Sequence, residues 1–136
     1  MAVVEEIIRV EDDGTISFGN HLLDVKTKVA DFEYDGDIYK VKTYNEITKL
    51  EKNGMFVYES VPGTSVHGLE VTDTGMEFTS ECAEDAQITV GLESEAEYTL
   101  LIDGVNAGTT KSNLGGKVIL SILASNGQTN VKIVKA

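Results

Sequence analysis

The sequence predicts an all-β protein made of antiparallel hairpins, and three observations predict it. Turn dipeptides recur as Asp13-Gly14, Asp35-Gly36, Asn53-Gly54, Thr74-Gly75, Asp103-Gly104 and Asn126-Gly127. Asx-Gly suits tight hairpin turns because Gly takes positive φ freely and Asn or Asp tolerates it. Each dipeptide lies between runs rich in Val, Ile, Thr, Tyr and Phe, which suit a pleated, half-buried surface. Pairing these runs across their turns mostly sets apolar residues opposite apolar ones.

The first turn works best as a three-residue loop, Asp12-Asp13-Gly14, which aligns Val10 with Ile16 and Ile8 with Phe18. A two-residue loop at Asp35-Gly36 pairs Phe32 with Tyr39, Ala30 with Val41 and Tyr34 with Asp37. The opposite face then sets Asp31 against Lys40 and Val29 against Lys42, so one side is apolar and the other charged. Residues 43–52 are the best helix candidate, although Ile47 and Leu50 also fit a hairpin. Around Asn53-Gly54, Leu50 meets Val57 and Lys49 meets Tyr58. The only proline, Pro62, sits in Ser60-Val-Pro-Gly-Thr-Ser65, where a strand is not expected to continue. Beyond it strands are expected near 66–71, 76–80, 86–92, 98–103, 105–110, 117–124 and 130–134. In the hairpin at Asp103-Gly104, Ile102 pairs with Val105, Leu100 with Ala107 and Tyr98 with Thr109.

The expected architecture is a small N-terminal sheet or barrel over residues 1–61 and an immunoglobulin-like β-sandwich over 66–136, or one continuous unit. The chain has 136 residues, 23 acids against 11 bases, and a net charge of −12. Each side of Pro62 is net −6, so charge separates no role between them. This balance argues against a nucleic-acid partner, which needs Lys and Arg to displace counterions. No apolar stretch is long enough for a membrane helix, so membrane insertion is not expected. The first ten residues hold two acids and no basic segment, so the expected location is cytoplasmic, or outside the cell by a signal-independent route. The single cysteine, Cys82, forms no intrachain disulfide and has only acids beside it, which raise a thiol pKa.

Few residues suggest chemistry. Ser65-Val66-His67 sets a hydroxyl and an imidazole on one strand face, without the glycine elbow of a hydrolase nucleophile. Glu11-Asp12-Asp13-Gly14 and Asp35-Gly36-Asp37 do not continue into a calcium loop. The region 81–97 holds six acids and no base, and its two acidic stretches meet only if they share one end of a sheet. Residues 108–117 are glycine-rich but lack phosphate-loop spacing. No catalytic residue, cofactor or metal site is therefore assigned. The apolar run Met55-Phe-Val-Tyr58 shows apolar side chains on both strand faces, with Phe56 and Tyr58 expected on one. An apolar face not covered by the fold marks a partner surface. Tyr44 and Tyr58 are the aromatic candidates for stacking on a sugar.

Residues 29–44, 47–54 and 58–64, together with Gln87-Ile-Thr-Val-Gly-Leu-Glu93, Glu97-Tyr-Thr, Ile102-Asp-Gly and Asn113-Leu-Gly-Gly-Lys117, resemble a family of short clostridial proteins often labelled endosialidase. The C-terminal part is similar to immunoglobulin-like modules appended to carbohydrate-active proteins. The resemblance implies a small glycan hydrolase or an accessory glycan-binding module. The residues themselves favour another reading. Sialidase propellers need many four-stranded blades and arginine clusters that clamp carboxylates, and this chain has one arginine, Arg9. The leading expectation is a non-enzymatic structural protein that self-assembles into a homo-oligomer or binds another protein through β-sheet surfaces. Phe56, Tyr58 and Tyr44 are its contact candidates; a carbohydrate-binding module is the alternative.

Overall fold

The computed structural model describes residues 3–136 and contains no α-helix among them. The strands in chain order are β1 (Ile8–Val10), β2 (Ile16–Phe18), β3 (Thr27–Tyr34), β4 (Asp37–Tyr44), β5 (Ile47–Lys52), β6 (Met55–Val61), β7 (Thr64–Thr72), β8 (Gly75–Cys82), β9 (Ala86–Gly91), β10 (Glu97–Ile102), β11 (Val105–Lys111), β12 (Lys117–Ile122) and β13 (Gln128–Lys135). All pairings are antiparallel, as expected. One sheet has seven strands in the order β1-β2-β7-β8-β13-β10-β11, and the other has six, β12-β9-β6-β5-β4-β3. Segments 1–61 and 66–136 are interleaved: β2 pairs with β7 in one sheet and β6 with β9 in the other. The linker-like stretch at Pro62 is where the chain passes from the six-stranded to the seven-stranded sheet.

Residues 43–52, the helix candidate, form the end of β4, a turn at Asn45-Glu46, and β5. Period-two burial decides this: Val41, Thr43, Thr48 and Leu50 are fully buried while their neighbours are not. Three hairpin registers hold beside the turn and then shift by one residue at a bulge. Phe32 pairs with Tyr39 as expected, but Val29 pairs with Val41 and Lys28 with Lys42. Likewise Ile102 meets Val105, but Leu100 meets Gly108 and Tyr98 meets Thr110. In the third, Leu50 pairs with Tyr58 and Lys49 with Glu59. The extra residue, Val57, lets Leu50 and Tyr58 both point inward. Only the first hairpin, with Ile8 opposite Phe18, keeps its expected register throughout.

The core lies between the sheets. Tyr58 is fully buried, and its ring makes edge contacts with Phe18 at 5.3 Å and Phe78 at 5.4 Å. Its hydroxyl meets Thr64 Oγ1 at 2.7 Å and Ser80 Oγ at 3.1 Å, linking β6 to the facing sheet. Burial pushes this phenol up to about 12, so it stays protonated and able to donate. Thr43, Thr48 and Thr64 extend the polar seam: Thr43 and Thr48 hydroxyls meet at 2.8 Å, and Thr48 Oγ1 donates to the Thr64 carbonyl at 2.7 Å.

Candidate interaction surfaces

The three expected contact residues separate. Tyr58 belongs to the core and presents nothing to a partner. The bulge at Val57 reverses Phe56 relative to Tyr58, so the two do not share a face. Phe56 lies on the outer side of the six-stranded sheet, against Gly91, with Lys117 Nζ 4.7 Å from its ring centroid. Tyr44 lies on the same outer face, because its neighbour Thr43 points inward. Lys26 Nζ is 5.8 Å from the Tyr44 ring, and a hydrogen bond with Glu46 raises the phenol above its ordinary value.

Between these aromatics lies a feature absent from the sequence reading. Lys28 of β3 is directly opposite Lys42 of β4, which is directly opposite Lys49 of β5. Lys40 stands two residues along β4 from Lys42, opposite Glu51. These four lysines and Glu51 line a shallow depression. Lys49 Nζ reaches Glu51 at 3.5 Å, whereas Lys28, Lys40 and Lys42 make no ion pair among the described residues. Like charges directly opposite one another destabilise a sheet. Four of the eleven basic residues of a −12 chain thus crowd one face.

No protein-family profile matches the chain, no curated protein matches it, and no solved structure matches it.

The acidic stretches of region 81–97 flank the single strand β9 and lie at its opposite ends, roughly 20 Å apart at strand rise. No group of three or more His, Cys, Asp or Glu side chains is placed to hold a metal among the described residues. Cys82 is buried, and burial pushes its thiol up, with Asp85 and Glu81 adding to the shift.

Ser65 does meet a histidine, but the partner is His21. His21 Nδ1 is 2.7 Å from Ser65 Oγ, both residues are buried, and His21 Nε2 has no hydrogen-bond partner among the described residues. A serine closed to solvent offers no nucleophile to a substrate, so this pair is structural. Burial pushes the His21 imidazole below its ordinary value, opposed by the charge of Glu81. The folded state therefore binds the His21 proton less readily than the unfolded chain. Stability from this residue is present above about pH 6.5, the unfolded imidazole value, and is lost as pH falls below it. Urea unfolding is expected to show a decline between pH 7.5 and 5.5 that His21→Asn flattens. An equal decline in the variant would assign the effect elsewhere.

The sheet edges differ in their protection. Edge strand β3 carries a bulge, with Asp31 at φ 58°, and the charges Lys28, Asp31 and Glu33. Edge strand β11 has no charge before Lys111 and is exposed from Val105 to Thr109. Its Gly108 amide donates to Asn106 Oδ1 at 2.7 Å. β11 is bulged as well, at Ala107, so charge is what separates these two edges, and β11 is the less guarded of them.

Proposed function

We propose that this protein is an interaction module that works through its β-sheet surfaces. It docks an acidic protein surface, of its own kind or another, on the outer face of the six-stranded sheet. The supporting observation is the row Lys28–Lys42–Lys49, whose repulsion the fold leaves uncompensated at two of three positions. An acidic partner would turn that repulsion into attraction. Lysine side chains also keep the free face from sticking to itself.

Lys42→Glu separates this reading from a merely solubilising role. It replaces two like-charge neighbours with two opposite-charge ones, so the isolated protein is expected to gain about 0.5–1 kcal/mol. The same variant is expected to lose binding of poly-L-glutamate, the probe for an acidic surface, measured by calorimetry. Stabilisation without any change in probe binding would remove the interaction role.

A glycan-binding reading is supported by Tyr44 and Phe56, which share the outer face roughly 15 Å apart by strand spacing. That separation fits a chain of several sugars. Glycan-array binding lost in Tyr44→Ala and Phe56→Ala but kept in Lys42→Glu would favour it over the acidic-protein reading.

A further inference from the structure

The outer face of the seven-stranded sheet carries acids in a matching arrangement. Met76, Phe78 and Ser80 of β8 are buried, so Glu77, Thr79 and Glu81 point outward. Glu70 of β7 is directly opposite Glu77, a like-charge pair comparable to the lysine row. Neither glutamate makes an ion pair among the described residues. The cations on this face among the described residues are Lys132, opposite Glu77, Lys111, opposite Glu97 at the β11 edge, and Arg9, which is held by Glu6 at 3.3 Å and Glu11 at 3.0 Å.

We propose that the occupant of the lysine face is a second copy of this chain, docked by its Glu70–Glu77 face; this inference rests on the interaction reading above. Charge complementarity argues for it, and so does spacing. Neighbouring strands lie about 4.8 Å apart in both sheets, so Lys42 and Lys49 of one copy match Glu70 and Glu77 of the next. The two faces are on opposite sides of the sandwich, so a copy docked through one face leaves the other free. Such a heterologous contact does not close as a two-fold dimer; it grows as a stack, or as a ring where the rotation closes.

Salt acts on this contact in two directions. The −12 charge repels whole copies at low ionic strength, where the screening length is about 30 Å at 0.01 M. At 1 M it is about 3 Å, and the face contact itself is screened. Association is therefore expected to be greatest near about 0.1 M, where the length is about 10 Å, and to fall on either side.

The test is light scattering of concentrated protein across that salt range, with two charge-reversed variants. Lys42→Glu/Lys49→Glu leaves acids on both faces, and Glu70→Lys/Glu77→Lys leaves lysines on both. Wild type is expected to form species above the dimer. Each variant alone is expected to lose them while keeping its circular dichroism spectrum, and an equimolar mixture of the two is expected to restore them. Assembly that survives both reversals, or a mixture that stays monomeric, would overturn the proposal. A wild type that is monomeric at every salt concentration yet binds poly-L-glutamate would overturn the second copy as partner and leave the interaction reading standing. A wild type that does neither would overturn both.

Discussion

Tyr58→Ala is expected to lower the unfolding free energy by about 3–5 kcal/mol, the range for truncating a buried aromatic residue. The ring packs edge-on between Phe18 and Phe78, from the facing sheet, so its removal opens a cavity at the centre of the sandwich. Its hydroxyl also joins Thr64 and Ser80, and Ser80 would lose that partner. Tyr58→Phe isolates the second contribution and is expected to cost about 1–2 kcal/mol. Urea unfolding followed by near-ultraviolet circular dichroism separates the two variants. A loss below about 1 kcal/mol for Tyr58→Ala would show that the ring is not held in a packed core. Loss of partner binding in this variant would report unfolding and would say nothing about a contact.

Gly75→Ala is expected to be comparably damaging, at about 3 kcal/mol or more, from strain and overpacking together. Gly75 opens β8 with φ at +155°, directly against β13. A Cβ there would stand 1.7 Å from the Ile133 carbonyl oxygen and 2.8 Å from its carbon. Both are backbone atoms, so the clash yields only if β8 separates from β13. Gly54→Ala is the control: its φ is +77°, but nothing lies within 4 Å of the added Cβ. That substitution is expected to cost only about 1 kcal/mol of backbone strain. Similar losses in both variants would mean that the β8–β13 approach is looser than this geometry.

Turns and strand runs were legible because their chemistry is local. Asp12-Asp13-Gly14 and Asp35-Gly36 specify their own geometry, and period-two alternation marks the strands between. The bulges were not legible, because the opposing sheet sets them. Nothing near Val57 in sequence says that Tyr58 must reach Phe18 and Phe78. The His21–Ser65 contact spans 44 positions and had no local signal.

The lysine row was hidden for two identifiable reasons. The bulge at Ala30-Asp31 moves Lys28, in place of Val29, opposite Lys42. The turn Asn45-Glu46 has no glycine, so the β4–β5 hairpin lacks the Asx-Gly mark of turns such as Asp35-Gly36. Its signal was nevertheless present: Lys40-Val-Lys42-Thr-Tyr44 and Ile47-Thr-Lys49-Leu-Glu51 alternate in mirror order about Asn45-Glu46. Pairing them across that turn aligns Lys42 with Lys49 directly.

The most direct measurement of the interaction role is a concentration series of amide chemical shifts at about 0.1 M salt, where local charge contacts survive screening. Concentration-dependent shifts are expected at the outward residues of β3, β4 and β5, around Lys28, Lys42 and Lys49, and around Glu70 and Glu77. Shifts confined to the β11 edge, or spectra independent of concentration and of added poly-L-glutamate, would contradict a role for the lysine face.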